Sequence, residues 1–95
     1  MTVLVDAAVW PWRGRRWAHL VSDESLEELH AFAARLGVDP RLFEGDHYDI
    51  TAEWREEAIT LGAEAVDSRV LVRRLRASGL RLTPAQRHAA KRAGA

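Results

Sequence analysis

The sequence predicts an α/β (or α+β) fold, a small mixed sheet of three to four short strands covered by three to four helices. Three observations lead there. Short apolar and alternating runs interleave with amphipathic segments in the order strand, strand, helix, strand, helix, strand, helix, helix. The helical segments carry caps at one end and glycine at the other. The chain has 95 residues, 47% of them hydrophobic, which suits a single small core. The expected division is one compact domain over 1–79 and a basic C-terminal helix or tail over 80–95.

Thr2–Val5 (TVLV) reads as a buried strand that ends at Asp6. Pro11 and Gly14 punctuate the following segment, so a loop or hairpin joins it to a second strand, Trp17–Val21. Alternation puts Trp17, His19 and Val21 on one face of that strand. Ser25 and Glu28 have capping-box spacing, and Leu26, Leu29, Ala33 and Leu36 then recur at helical spacing up to Gly37. Asp39-Pro40 and Glu44-Gly45-Asp46 mark turns. His47–Ile50 alternates, with Tyr48 and Ile50 on one face and His47 and Asp49 on the other. Thr51 caps a second helix facing inward through Trp54, Ala58 and Leu61, stopped by Gly62. Glu64–Val66 is a brief strand. Asp67 or Ser68 caps a third helix with Val72 and Leu75 inward, Leu71 flanking, and Gly79 as its stop. Thr83-Pro84 opens a short basic helix over Pro84–Ala93.

Composition excludes several classes. No apolar run reaches the roughly 18 residues that cross a membrane. No secretory signal pattern is visible, and a cytoplasmic protein is expected. Cysteine is absent, which removes disulfides, thiolate ligands and a cysteine nucleophile. Formal net charge is zero but the charges are sorted. Residues 1–22 carry one acid against three arginines, net +2; residues 23–67 carry thirteen acids against three, net −10; residues 68–95 carry eight basic residues and no acid, net +8. Such a split suits a basic arm that binds nucleic acid, or one that folds back on its own body or on a second copy in a homo-oligomer.

The opening VLVD, WAHLVSD (Trp17 to Asp23), ELH (Glu28 to His30), Leu36-Gly37, HYD (His47 to Asp49) and Gly62-Ala63 occur in this order. In this the chain resembles the small bacterial and phage proteins grouped as domain of unknown function 4031, from about Met1 to about Gly79. The resemblance implies a domain boundary and a set of residues. It implies no particular reaction.

Those motifs contain His19, His30 and His47, with Asp6, Asp23 and Asp49. Imidazole and carboxylate are the ligands left to a divalent metal when cysteine is missing. The six form a candidate polar pocket. In the metal-assisted version His19, His47 and Asp49 hold the ion; in the metal-free version His47 is a base oriented by Asp49. Arg55 or Arg13 would neutralise a phosphate-bearing substrate. Asp6 stands at a strand's carboxyl end, where ligands gather in open α/β sheets, and also suits a turn. No glycine-rich phosphate loop, nucleophile elbow or His-Glu-x-x-His helix is present, so whether the protein is an enzyme stays open. The alternative is a non-enzymatic nucleic-acid-binding or adaptor module. It would use Trp10, Trp12, Arg13, Arg15 and Arg16 in the first hairpin, with Arg73 and Arg76 on the third helix.

Overall fold

A computed structural model describes residues 2–93, with five strands and four α-helices in an α+β arrangement. The strands are β1 (Val3–Val5), β2 (Trp10–Trp12), β3 (Arg15–Ser22), β4 (Tyr48–Thr51) and β5 (Glu64–Ala65). The helices are α1 (Leu26–Leu36), α2 (Ala52–Thr60), α3 (Ser68–Ser78) and α4 (Pro84–Ala93), with a 3-10 turn over Pro40–Leu42. The expected class holds, with one strand more than expected. The addition is β2, because the tryptophan-rich segment is a hairpin arm rather than a loop. Its two-residue turn, Arg13-Gly14, has φ of 49° and 72°. Positive φ at both central positions is the twist that a tight hairpin needs. Arginine rarely adopts it, and here the Arg13 guanidinium lies 4.6 Å from the centre of the Trp12 ring, a cation–π contact that compensates.

The long β3 organises the sheet. Along one edge it pairs antiparallel first with β2, Trp10 opposite Trp17, and then with β1, Val5 opposite Leu20. Along the other edge it pairs with β4, His19 opposite Asp49. β5 adds to β1 in parallel, which makes the sheet mixed. Residues alternate between faces. Val3, Val5, Ala18, Leu20, Tyr48 and Ile50 pack under α1 and α2. Leu4 and Val21 face the other way and pack against Leu71 and Leu75 of α3. Leu71 therefore points inward, and Val72, expected inside, is half-buried at the margin. Leu4, Leu20, Leu29 and Ile50 are fully buried, each contributing about 2–3 kcal/mol of apolar transfer.

The helix ends follow the sequence closely, with one change. Ser25 Oγ accepts from the Glu28 N–H as a cap should. The Glu28 carboxylate instead accepts from the Ser22 hydroxyl, whose oxygen in turn accepts from the N–H groups of Glu24 and Ser25. One buried serine thereby satisfies the amides that precede α1.

The basic C-terminal third folds onto the acidic middle. Arg74 donates to Asp23 at 2.6 Å and to Glu64 at 2.9 Å, and Asp23 accepts the Thr2 N–H at 3.0 Å. Asp23 is thus a clamp between the start of the chain and α3, away from the other candidate pocket residues. Burial acts to raise its carboxyl. The bonds from Arg74 and Thr2, with the arginine's charge, outweigh that and hold it below 3.8. Asp23→Asn is expected to lower stability by roughly 1–2 kcal/mol in urea melts near neutral pH. A carboxyl depressed on folding stabilises above its unfolded value and loses that contribution as pH falls through its folded value. The gap between wild type and variant should hold constant from about pH 5 to 8 and close progressively below about pH 4.

Candidate functional site

Asp6 closes β1 at the point where the chain leaves the ladder before re-entering it as β2. β3 runs past this break, so its amides there need another partner. The Asp6 carboxylate supplies it: Oδ1 accepts the His19 N–H at 2.6 Å. Its Oδ2 meets His19 Nδ1 at 2.8 Å and accepts from Ser68 Oγ at 3.0 Å. Asp6 is buried, with 2% of its surface exposed. Burial works to raise its carboxyl, and the ring and backbone bonds from His19, with its charge and the Ser68 bond, bring it below the ordinary value. The imidazole is therefore held by Nδ1 and turns Nε2 outward.

A second pair is built the same way one strand over. Asp46 is fully buried and its Oδ1 lies 2.6 Å from His47 Nδ1. Its Oδ2 accepts the Leu82 N–H at 2.9 Å, with Arg81 and Arg87 at 3.7 and 3.8 Å. Burial opposes its ionisation, and the His47 and Leu82 bonds prevail, leaving the carboxyl below its usual value. His47 responds in the opposite sense. Burial would lower it, but the two carboxylates flanking its ring raise it to about 9. His47 Nε2 sits 3.1 Å from Asp49 Oδ1, near enough for charge attraction. The two are out of line for a hydrogen bond, so that buried oxygen has no hydrogen-bond partner.

The register of β3 and β4 brings the pairs together. One ligand atom from each of His19, His47 and Asp49 lies within 4.8 Å of the other two. The two imidazoles meet edge to face at 5.1 Å between centres. A cleft of about 290 Å³ opens over them, walled by Trp10 on one side and by Arg87 and His88 of α4 on the other. A smaller alcove of about 180 Å³ shares His19, His47 and Arg87 with it and is floored by Val21, Leu71 and Leu75. Two imidazoles plus one carboxylate, each ring fixed through its far nitrogen by a carboxylate, is a ligand set that suits a divalent ion.

The other candidates fall elsewhere. His30 lies under the opposite face of the sheet, its Nδ1 2.6 Å from the Tyr48 hydroxyl and its ring against Phe43. The period-two alternation that turns His47 and Asp49 up turns Tyr48 down, so His30 cannot join them. Asp6 orients His19 from below rather than lining the cleft. Arg55 donates from Nε to the Asp6 carbonyl at 2.7 Å and pairs with Glu56, which spends its guanidinium on the β1 end. Arg13 covers Trp12, and Arg15 reaches Glu53 at 3.4 Å. Arg16 is exposed on β3. Arg73 and Arg76 line a separate groove along α3 with Val72. No helix among the described residues is long and apolar enough to cross a membrane.

Three contributors, Asp46, Ser68 and His88, escaped the sequence, and Arg87 reads there only as one of the phosphate-contacting candidates of the basic C-terminal segment. Asp46 reads as a turn residue, and its role needs the tight Gly45 bend that folds it beside His47. Gly45 has φ of 89°, and a side chain there would press on the Arg87 backbone at 3.1 Å. Ser68 reads as a cap and instead bonds Asp6. Arg87 and His88 come from α4, whose docking leaves no local trace in the chain.

Fold and site together define a small α+β protein with a histidine–carboxylate cleft on one sheet face. Residues 3–78 match the family described as protein of unknown function (DUF4031), and the chain belongs to that family. No curated protein and no solved structure matches it.

Asp46→Asn should loosen both things this carboxylate holds. Protection of the Leu82 amide in hydrogen exchange is expected to fall about tenfold or more. In metal-free protein the His47 ring resonances should titrate well below 9, toward 6.5.

Proposed function

We propose that this protein is a divalent-metal-dependent hydrolase of a phosphate-bearing substrate, with the ion held by His19, His47 and Asp49. The observation that carries the reading is the paired construction of the site. Two imidazoles, each anchored through Nδ1 on a buried aspartate, converge with a carboxylate oxygen that is buried and has no hydrogen-bond partner. Imidazole and carboxylate together suit zinc or manganese. An ion so held polarises a phosphoryl oxygen and brings a bound water toward ionisation at neutral pH.

The chain's own groups then have defined tasks. Asp6 and Asp46 keep the rings aimed. Arg87, with Arg81 behind it, replaces Arg55 and Arg13 as the cation that meets the substrate's negative charge. In hydrolysis the water oxygen forms a new bond to phosphorus while the bond from phosphorus to the leaving oxygen breaks. The proton lost by water ends on that leaving oxygen. The expected metal-free version, His47 as a base oriented by Asp49, does not suit this geometry: Asp46 is the residue that holds the ring through Nδ1, and flanking carboxylates raise His47 to about 9, which keeps it protonated at neutral pH.

Titration calorimetry of the full chain with zinc and with manganese is expected to show about one ion per chain. His19→Ala, His47→Ala and Asp49→Ala should each abolish this binding, and Asp6→Asn should weaken it about 10–100-fold. His30→Gln, which keeps a partner for Tyr48, should leave it within about twofold. Hydrolysis of p-nitrophenyl phosphate should fall with binding across this set. Failure of both ions to bind, or binding that survives loss of His19 and His47, would exclude the metal reading.

A further inference from the structure

The hairpin that sequence analysis singled out borders the cleft directly. Trp10 and Trp12 share a face of β2, and both are exposed, at 40% and 46%. Their rings are nearly parallel, 10° apart with centres 6.4 Å from each other. Trp10 in turn lies 9° from the plane of His19, at 5.9 Å. The Arg13 guanidinium covers Trp12. Planar groups thus run in a ladder from the candidate metal ligand outward along the hairpin, over the open side of the sheet. The hairpin's geometry maintains this exposure: Trp17 Nε1 donates to the Trp12 carbonyl at 2.9 Å and pins the arm down. Two large indoles left in water on an edge strand are unfavourable for the isolated chain, and they stand where a ligand in the cleft would continue.

The rest of the cleft is polar: Arg87 and His88 of α4 line it with Glu44, and Arg87 brings a guanidinium to it. Arg87 donates from Nη1 to the Leu82 carbonyl at 2.8 Å, which holds its guanidinium at the cleft while leaving further N–H groups. Arg87 and His88 lie beyond the stretch shared with the family, residues 3–78. A volume of about 290 Å³ is at the lower end for a small-molecule site. It can take a phosphate group with one planar ring beside it.

The geometry points to a nucleobase-bearing phosphate as the substrate class, its base stacked on Trp10 and Trp12 and its phosphate between the metal ligands and Arg87–His88. This deepens the hydrolase reading and rests on it for the position of the phosphate. The base contact rests on the tryptophans alone. A base has a π-face whatever its identity, so the platform selects for a base and little among bases. The source is either a free nucleotide or the end of a single strand.

The test compares adenosine 5′-monophosphate with ribose 5-phosphate by calorimetry, with and without manganese. The nucleotide is expected to bind at least about fivefold more tightly in both conditions. In Trp10→Ala this ratio should fall to about one, and in Trp12→Ala partway, whatever happens to absolute affinity. Arg87→Gln should weaken both ligands alike and keep the ratio. Equal binding of the two ligands by wild type, or a ratio untouched by Trp10→Ala, would overturn the proposal. A missing effect of manganese with the ratio intact would instead count against the metal reading alone. A hexadeoxyadenylate with a 5′-phosphate, binding much more tightly than the mononucleotide and than its dephosphorylated form, assigns the source to a strand end. Parity with the mononucleotide assigns it to a free nucleotide.

Discussion

The carboxylate of Asp6 replaces a stretch of missing sheet. Where the chain steps out between β1 and β2, β3 would present an unpaired amide at His19, inside the protein and without water. Oδ1 accepts that amide, and Oδ2 at the same time takes the His19 ring and the Ser68 hydroxyl. One buried side chain therefore completes the ladder, aims the imidazole and ties down the start of α3. The Asp6 carbonyl is in turn held by Arg55. An unsatisfied amide or charge here would cost several kcal/mol. The break in the strand is tolerable because the residue at its edge is an aspartate. The same break sets β2 apart as a separate arm and lets its tryptophans reach over the site.

Asp46 plays the matching part between the body and the C-terminal segment. It faces His47 with one oxygen and the Leu82 amide with the other, while Arg81 approaches from the segment before α4 and Arg87 from α4 itself. The sorted charges of the chain are explained by such contacts. Arg74 bridges Asp23 and Glu64, and the arginines around Asp46 close the other end. The basic third thus pairs in part with its own acidic middle, and what remains of it, Arg87 above all, is directed into the cleft. The two aspartates serve the same physical purpose twice: each is desolvated, each stays ionised because a histidine and a backbone amide offset that desolvation, and each engages only the Nδ1 of its ring.

Much of this was readable along the chain because it is local. Capping serines and threonines act within one turn, and glycine stops need only their own φ. The alternation at His47–Ile50 follows from the pleat. It placed His47 and Asp49 on one face without reference to any neighbour. His30 was misplaced because its position on α1 says only that it leans toward the sheet; which face of the sheet lies there is a matter of how the helix crosses. Leu71 and Val72 exchanged roles for the same reason, a rotation of α3 by less than a third of a turn. The tryptophan segment was legible as a hairpin candidate, yet its pairing depended on two positive φ values, one of them at an arginine.

The chain alone determined every strand and α-helix but β2, their order, the absence of thiol chemistry and the short list of imidazoles and carboxylates from which most of the site is drawn. These follow from short-range rules of capping, period and composition. Only the tertiary structure decided that His19 and Asp49 stand opposite each other, that His30 does not join them, and that Asp46, Ser68 and Arg87 do. Strand register and helix docking set those neighbours, and both are fixed by the burial of residues far apart in the chain, which no local pattern encodes.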